Sequence, residues 1–470
     1  MKYLIIALAA ALATFSVAAN QVPAEAPIEA SMTAAEEQQA FGEQHAETVK
    51  KAKKTGKTVK NDIKEYMREV SAQLIQAKRS HSVTLVSGTA QVSVTKEHSM
   101  WSHHRANALR QATLNAKESY LSKLNTSVRN EVVNSLFNDA GAPRPSPEDF
   151  KSESGMASIR DKAVALMEVK LDSELSEAGI DPNLFADSSP SQKQQIMRKY
   201  FAEKTLTSAF GDLSGMFVIK TFESYTDDGK GTIGVVMARS AKKRDQIKAL
   251  VESRGQVKPD PAKANPDNAN LAAVLAADEA PYLQYGTALD YDEQGYPLII
   301  SFGQAGVQYT DDDVMLSIQI EAATSEAESN AMANLAQTYN MSGDFSKKVT
   351  KESDQGKELV HTLTSSSSVS TTDPGVVIAI RNILDQSSRM SASISGLNGL
   401  RTLNAWEMEH PITGHLMVGV AVVWHPVQVR NAELMQSGRS AADIDAAQKQ
   451  KQGPQKVSSQ QSTSRFNSDF

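Results

Sequence analysis

Residues 213–238 read LSGMFVIKTFESYTDDGKGTIGVVMA, and residues 397–423 read LNGLRTLNAWEMEHPITGHLMVGVAVV. Both stretches begin with Leu-x-Gly, and in both an aromatic side chain follows the leucine at the same distance. A glycine-bearing turn and a continuous apolar run come next, as in a β-hairpin. Such a match indicates a tandem duplication. The shared positions are Leu213, Gly215 and Phe222 in the first copy, and Leu397, Gly399 and Trp406 in the second.

A helical segment with small residues at every fourth position precedes each of these stretches. Residues four apart lie on one face of a helix, so small side chains there allow close packing on a sheet. The sequence therefore predicts an α+β fold with two related domains, each a small sheet with helices packed on it. Matched by their small residues, the two helices pair Ala108, Ala112, Ala116 and Tyr120 with Ala327, Ala331, Leu335 and Tyr339.

Composition shifts divide the chain into seven segments, and the two domains are each expected to fold when expressed alone. The first domain carries a helical insertion, because more residues separate its helix from its Leu-x-Gly than in the second. The segments are a signal peptide (1–19), a tether (20–32), an amphipathic helical arm (33–80), the first α+β domain (81–254), a linker (255–279), the second α+β domain (280–430) and a disordered Gln/Ser-rich tail (431–470).

Apolar runs and turn residues also predict individual strands. The segment 82–94 is either one strand or a hairpin that turns at Gly88. The second domain is expected to open with two strands, 298–307 and 314–320, separated by three aspartates. The predicted closing hairpins are 216–224 with 232–238, and 400–408 with 415–424.

The N-terminus has the pattern of a secretory leader. Lys2 precedes an apolar run over 4–17, and Val-Ala-Ala at 17–19 suits cleavage before Asn20. The chain has no cysteine, which excludes disulfides, thiol catalysis and a lipid-carrying cysteine. An exported protein without disulfides is typical of a bacterial periplasm. The net charge of −6 argues against a nucleic-acid binder.

The arm is rich in lysine between residues 50 and 64. One interpretation is a peripheral contact with anionic lipid or lipopolysaccharide, to which surface lysines are attracted. The other is a solvated helix face balanced by the glutamates that precede it. An apolar stripe at three- and four-residue steps follows the first of these lysines and predicts an amphipathic helix; its members are Ile63, Met67, Val70 and Leu74.

Each motif that could indicate a reactive centre lacks the structural context or a ligand that its chemistry requires. We therefore expect no catalytic, cofactor-binding or metal-binding residues. Gly229, Gly231 and Gly234 form a literal G-x-G-x-x-G, but they fall in a hairpin turn and a strand rather than before a helix. The adjacent His103 and His104 would point in different directions on a helix, which argues against joint chelation. A calcium-loop-like stretch at 290–295 has Ser301 where the bidentate glutamate belongs.

Together the repeated elements resemble the LPP-type outer-membrane lipoprotein domain and similar domains of flagellar outer-membrane-ring accessory proteins. The chain departs from that pattern by lacking the lipid-carrying cysteine. The resemblance implies a small non-enzymatic α/β domain that oligomerises or docks onto envelope machinery. It is carried by Ala327, Ala331, Tyr339, Leu397, Gly399, Trp406 and the strand at 417–423, with their counterparts in the first copy.

The expected function is therefore a periplasmic structural or accessory component of an envelope-spanning assembly. Its partners would be other envelope proteins or further copies of the same chain. A soluble binding module for a small ligand or for peptidoglycan is the first alternative, and a pocket between the two copies would favour it. A glycan-processing enzyme is a more distant alternative, because paired carboxylates need not be close in sequence.

Overall fold

A computed structural model gives the fold of the chain. It describes residues 50–80, 82–122, 145, 153–169, 176, 180–253, 256–342, 353–365, 374–389 and 399–437. The expected signal peptide and tether, the arm before residue 50 and the tail from residue 438 lie outside these residues.

The strands are β1 (Lys50–Lys51), β2 (Val83–Val92), β3 (Met216–Tyr225), β4 (Gly231–Ser240), β5 (Gly286–Tyr291), β6 (Pro297–Gly306), β7 (Leu400–Glu409) and β8 (Leu416–Trp424). The helices are α1 (Thr55–Gln76), α2 (Trp101–Ser122), α3 (Glu153–Val169), α4 (Pro182–Asp187), α5 (Pro190–Asp212), α6 (Ala241–Glu252), α7 (Leu271–Ala276), α8 (Asp313–Ser342), α9 (Asp354–Ser365), α10 (Pro374–Arg389) and α11 (Pro426–Ser437).

Two four-stranded sheets carry the fold, with strand orders β1-β3-β4-β2 and β5-β6-β8-β7. In each sheet the strand that precedes the long helix pairs with the second strand of the closing hairpin. Strand β2 thus corresponds to β6, β3 to β7 and β4 to β8. The outer strands differ, since β1 lies parallel beside β3 whereas β5 lies antiparallel beside β6. The predicted α+β fold with two related sheet-and-helix units is confirmed.

The repeated aromatic residues occupy equivalent places in the two hairpins. Phe222 of β3 lies opposite Gly234, and Trp406 of β7 lies opposite Gly419. In each strand a β-bulge precedes the aromatic residue at the same distance. A bulge increases local twist, so both hairpins bend at the same point.

The glycines of the two Leu-x-Gly stretches lie against the helix that follows each hairpin. A Cβ atom at Gly215 would lie 2.6 Å from the carbonyl oxygen of Ser240, next to α6. At Gly399, where φ is +103°, a Cβ atom would lie 2.5 Å from the amide nitrogen of Val429 in α11. Only glycine fits such contacts with backbone atoms. Leu397 lies outside the described residues.

The two long helices, α2 and α8, correspond residue by residue, but their alignment differs by one helical turn from the one that the sequence suggested. A Cβ atom at Gly88 of β2 would lie 2.1 Å from the carbonyl oxygen of Ala112, and one at Gly303 of β6 would lie 2.0 Å from that of Ala327. Ala112 therefore corresponds to Ala327, whereas the sequence alignment paired Ala108 with it. Small residues at every fourth position look alike after a shift of one helical turn. Only the glycine on the strand fixes the register.

The predicted strand at 314–320 is wrong, because these residues form the first turns of α8. The side-chain oxygen Oδ1 of Asp312 accepts hydrogen bonds from the backbone N–H groups of Val314 and Met315, both at 2.9 Å. A carboxylate in this position starts a helix. The fourth strand of the second sheet is instead β5, for which the sequence analysis predicted no strand.

The hairpin alternative for 82–94 is also wrong. Strand β2 runs unbroken along β4 through Gly88, which makes room for α2 rather than a turn. In the expected disordered tail, residues 431–437 belong to α11.

The predicted linker is folded onto the edge of the second sheet. The backbone N–H of Asp260 donates to the carbonyl of Gly295 at 2.9 Å, and that of Asn265 to Asp292 at 2.9 Å. The side-chain amide of Asn268 donates to a carboxylate oxygen of Asp290 at 2.8 Å. Prolines in this stretch begin short 3-10 turns, as suits a residue that lacks an N–H.

Within the predicted arm, α1 packs on the first sheet. Its inward side chains belong to a core cluster with Ile219, Phe222 and Val236. The lysines between residues 50 and 64 are exposed, a placement that suits both interpretations of them. The buried residues of α1 are Val59, Ile63, Val70 and Leu74.

One core cluster joins the two units. It holds Leu109 of α2 and Phe210 of α5 together with Leu359 of α9 and Ile383 of α10. Helices α9 and α10, which follow β5 and β6 in the chain, therefore contribute to the core in which α2 packs.

Candidate functional site

The five described repeat positions, which exclude Leu397, belong to two different sheets and do not come together as one site. Leu213 and Phe222 are buried, and the Phe222 ring meets Tyr66 of α1 edge-on at 5.9 Å between centroids. Trp406 is half-buried in the other sheet and packs with Tyr282 and Met417. These residues support the two hairpins separately.

The glycine motif lies where the sequence placed it, in a hairpin. Gly229 adopts a φ of +82° in the turn, and the other two glycines are in β4. No helix N-terminus follows, so the backbone offers no phosphate cradle there.

The two histidines of α2, His103 and His104, have different neighbours. The rings of His98 and His104 meet edge-on at 5.2 Å, whereas His103 lies in a small hollow with Glu326. Across the part of the chain that the structure describes, no three side chains of His, Asp or Glu are grouped so that they could hold a metal ion. Likewise, no described helix is long and apolar enough to cross a membrane.

A cleft of about 820 Å³ lies between the two units. Helix α2 of the first unit forms one wall, and α8 and α10 form the other. Because α2 and α8 are the equivalent long helices of the repeat, the cleft lies where the two copies meet. The volume falls in the range of about 300–1,000 Å³ that is usual for small-molecule sites.

The cleft is lined by carboxamides and cations. Among the described residues its lining contains no Asp or Glu, and its positive side chains are Arg110, Lys117 and Arg381, with His104 beside them. A carboxamide both donates and accepts hydrogen bonds, so this lining suits a ligand with many polar groups. The carboxamides are Gln91, Asn107, Gln111, Asn115, Asn330, Asn334, Gln337 and Asn382.

Two of these carboxamides repeat a structural role. Asn115 Nδ2 donates to the carbonyl of Thr89 at 2.9 Å, and Asn330 Nδ2 donates to the carbonyl of Gln304 at 3.0 Å. Each bond ties a long helix to the strand beneath it at the equivalent place. The walls of the cleft are therefore held to the two sheets by the same device.

Lys117 is the cation at the base of the cleft, where it is only 9% exposed. Its ammonium donates to Oε1 of Gln337, and Nε2 of Gln337 donates to the carbonyl of Leu384 at 2.9 Å. This chain joins α2, α8 and α10. Burial lowers the pKa of Lys117 to about 8, because the charged form loses its hydration there.

Beside the cleft, a buried ion pair joins the units. Nη2 of Arg105 in α2 donates both to Oε1 of Glu223 in β3 and to the carbonyl of Tyr282, each at 2.5 Å, and Nη1 donates to Gln304 at 2.7 Å. Arg105 thus binds its own unit through Glu223 and the other unit through Gln304 and Tyr282. This bonding fixes the position of α2 against β6.

Glu223 is also bonded by two aromatic side chains. The hydroxyl of Tyr225 donates to it at 2.9 Å, and Nε2 of His410 lies 3.3 Å away. Nδ1 of His410 lies 3.3 Å from the N–H of Thr413, an acceptor's position, which places the proton on Nε2 facing Glu223. Burial by itself would raise the pKa of Glu223, but Arg105 and His410 outweigh it and lower the pKa to about 2.

The sequence analysis missed Lys117, the carboxamide lining and the Arg105–Glu223 pair. A signal for the lining was present, because Asn107, Gln111 and Asn115 follow one another at helical spacing on an alanine-rich helix. Nothing in the sequence marked Lys117, since its burial comes from α8 and α10.

Residues 156–252 match the model of a family described as a domain of unknown function, DUF6844. The match spans α3 to α6, including the closing hairpin of the first unit. No curated protein matches the chain. A crystal structure of hypothetical protein FTT1539c from Francisella tularensis is similar at 19% identity with a TM-score of 0.46, over 82% of this chain and 95% of that one.

Proposed function

We propose that this protein is a non-enzymatic binding module, exported to the bacterial periplasm, that holds a small polar ligand between its two repeats. The carrying observation is the cleft of about 820 Å³ between α2 and α8, lined by carboxamides and cations. A pocket between the copies is the feature that separates a binding module from a purely structural component. Binding therefore takes precedence over assembly as the proposed role.

The lining supports binding better than catalysis. Proton transfer by a general acid or base needs a titratable group beside the reacting atom. Lys117 faces the amide of Gln337, and the ring of His104 lies edge-on against His98. Within the described part of the lining, no carboxylate is present to act as a partner for either group. Carboxamides orient a ligand by hydrogen bonds without exchanging protons with it.

A blocking variant tests the proposal. Ala333 of α8 lines the cleft, so Ala333→Trp would fill it, while Ala322→Trp places the same side chain on an exposed position of α8 outside the lining. We expect dialysis against small molecules extracted from the organism's own envelopes to leave a compound on the wild-type protein and on Ala322→Trp. Mass spectrometry of the retained fraction identifies it. Equal retention by Ala333→Trp would refute the cleft as the site.

An assembly role is the second candidate, supported by an apolar row at the start of α8. Val314 is 71% exposed and Ile318 is 54% exposed, with Met315 between them. Exposed apolar groups of this kind are typical of protein contacts. Val314→Asp with Ile318→Asp would then reduce the native mass of a complex gently released from envelopes. An unchanged mass, or a free monomer in the wild type, would count against assembly.

A further inference from the structure

Resting on the proposed binding function, we propose that the ligand is an acidic sugar whose negative group lies against Lys117 at the base of the cleft. The proposal adds the ligand's chemical class and the residue that selects it. It is carried by the contrast between this lysine and two buried arginines, Arg105 and Arg239, and by the size and lining of the cleft.

Two buried arginines elsewhere in the protein are paired with carboxylates. Arg105 contacts Glu223 at 2.5 Å, and Arg239 contacts Asp212 at 2.5 Å. Such pairing offsets the large cost of removing a charge from water. Lys117, equally buried, has the neutral oxygen of Gln337 as its partner among the described residues.

Two acidic side chains of the cleft walls have other neighbours. Glu118 binds Arg381 at 2.9 Å, and Glu326 borders the small hollow that also holds His103. Among the described residues, the positive charge of Lys117 therefore has no carboxylate partner in the cleft. An anionic group of a ligand is the partner that would complete it.

A bare inorganic ion is too small for this site. The cleft holds about 820 Å³, and eight carboxamides line it. A sugar hydroxyl donates and accepts hydrogen bonds in the same way as a carboxamide, so the two groups match around a sugar ring. A single negative group on the ring would lie on Lys117 and leave the hydroxyls to the carboxamides.

Three hexoses that differ at one carbon test the assignment. D-glucose carries a hydroxymethyl group, D-glucuronate a carboxylate and D-glucose 6-phosphate a phosphate. Isothermal titration of the full chain should show at least one acid binding ten-fold or more tightly than glucose. Tighter binding of D-glucuronate would identify the negative group as a carboxylate, and tighter binding of D-glucose 6-phosphate would identify it as a phosphate.

Lysine variants assign the effect to Lys117. Lys117→Met should reduce binding of the favoured acid to the level of glucose and leave glucose unchanged, while Lys117→Arg, which keeps the charge, should retain part of the preference. Lys248→Met removes an exposed lysine of α6, 58% accessible and outside the cleft, and should change neither. Thermal unfolding of each variant checks that it is folded.

The failure of this inference differs from that of the proposed function. If glucose binds as well as both acids, or if Lys117→Met leaves acid binding intact, the ligand class is wrong while the cleft still binds. If none of the three sugars binds, the acidic-hexose assignment is overturned. The binding function itself then fails only when dialysis also shows no compound that depends on an open cleft.

Discussion

Arg105 and Glu223 are both almost fully buried, so each depends on the other to keep its charge. Removing one partner of such a pair typically costs about 3–5 kcal/mol, because the remaining charge is left without compensation. We expect Glu223→Gln to lower the free energy of unfolding by that amount in urea titrations at pH 7. The double variant Arg105→Met with Glu223→Gln should recover much of the loss. Additive losses in the double variant would show that the pair is not coupled.

The same carboxylate gives an acid dependence. Its pKa is about 2 in the folded protein against an ordinary 4.5, so its contribution is complete above pH 4.5 and is lost as pH falls towards 2. At roughly 1.4 kcal/mol per pKa unit, the wild type should lose about 3 kcal/mol more than Glu223→Gln over this range. Parallel pH profiles of the two proteins would contradict the lowered pKa of Glu223.

Lys117 gives the opposite dependence. Its pKa of about 8 lies below the ordinary 10.5, so the unfolded chain binds more protons and stability rises with pH between these values. Relative to Lys117→Met, the wild type should gain about 3 kcal/mol between pH 7 and pH 10.5. Chemical denaturation across this pH range measures the difference. A constant difference would mean that Lys117 titrates as an exposed lysine does.

At the scale of elements, the fit between each long helix and its sheet depends on one glycine. A Cβ atom at Gly303 would lie 2.0 Å from a carbonyl oxygen of α8, and backbone atoms cannot move aside as a side chain can. Gly303→Ala should therefore push α8 away from β6 and destabilise the protein by about 1–3 kcal/mol, the usual cost of overpacking. Gly88→Ala should act alike on α2.

A glycine in the first turn of a helix provides the control. In α1, a Cβ atom at Gly56 would meet its nearest neighbours at an ordinary 3.7 Å. Gly56→Ala is expected to stabilise the protein by roughly 0.5–1 kcal/mol, because alanine favours the helix. Thermal unfolding of the three variants compares them directly. Equal effects at positions 303 and 56 would refute close backbone contact as the cause.

At the scale of the whole molecule, the two repeats share their core. Leu109 and Phe210 of the first unit pack in one cluster with Leu359 and Ile383, and Arg105 bonds both units. We therefore expect fragments 50–253 and 256–437 to fail to unfold cooperatively when each is expressed alone. Co-expressed, they should associate and restore the circular-dichroism signal of the intact chain. A sharp, independent unfolding transition in either isolated fragment would show that the units are autonomous.

Local sequence was sufficient for the closing hairpins and most helices. Apolar alternation and the turn at 227–229 gave β3 and β4, and the same pattern gave β7 and β8, because hairpin strands pair with their neighbours in sequence. The prediction from local sequence was wrong at 314–320, because a short apolar run fits a strand or a helix equally well. The carboxylate of Asp312, which accepts a hydrogen bond from the N–H of Val314, starts a helix there.

By itself, then, the sequence determined the α+β class, the duplication and the hairpin positions that carry it. Only the tertiary structure decided the helix register, the cleft and the charges that line or flank it. Arg105 and Glu223 are 118 residues apart, and Lys117 is 220 residues from Gln337. The first pair depends on how α2 packs on β3 and the second on how α2 meets α8. Local periodicity carries no information about which distant side chains will share a buried space.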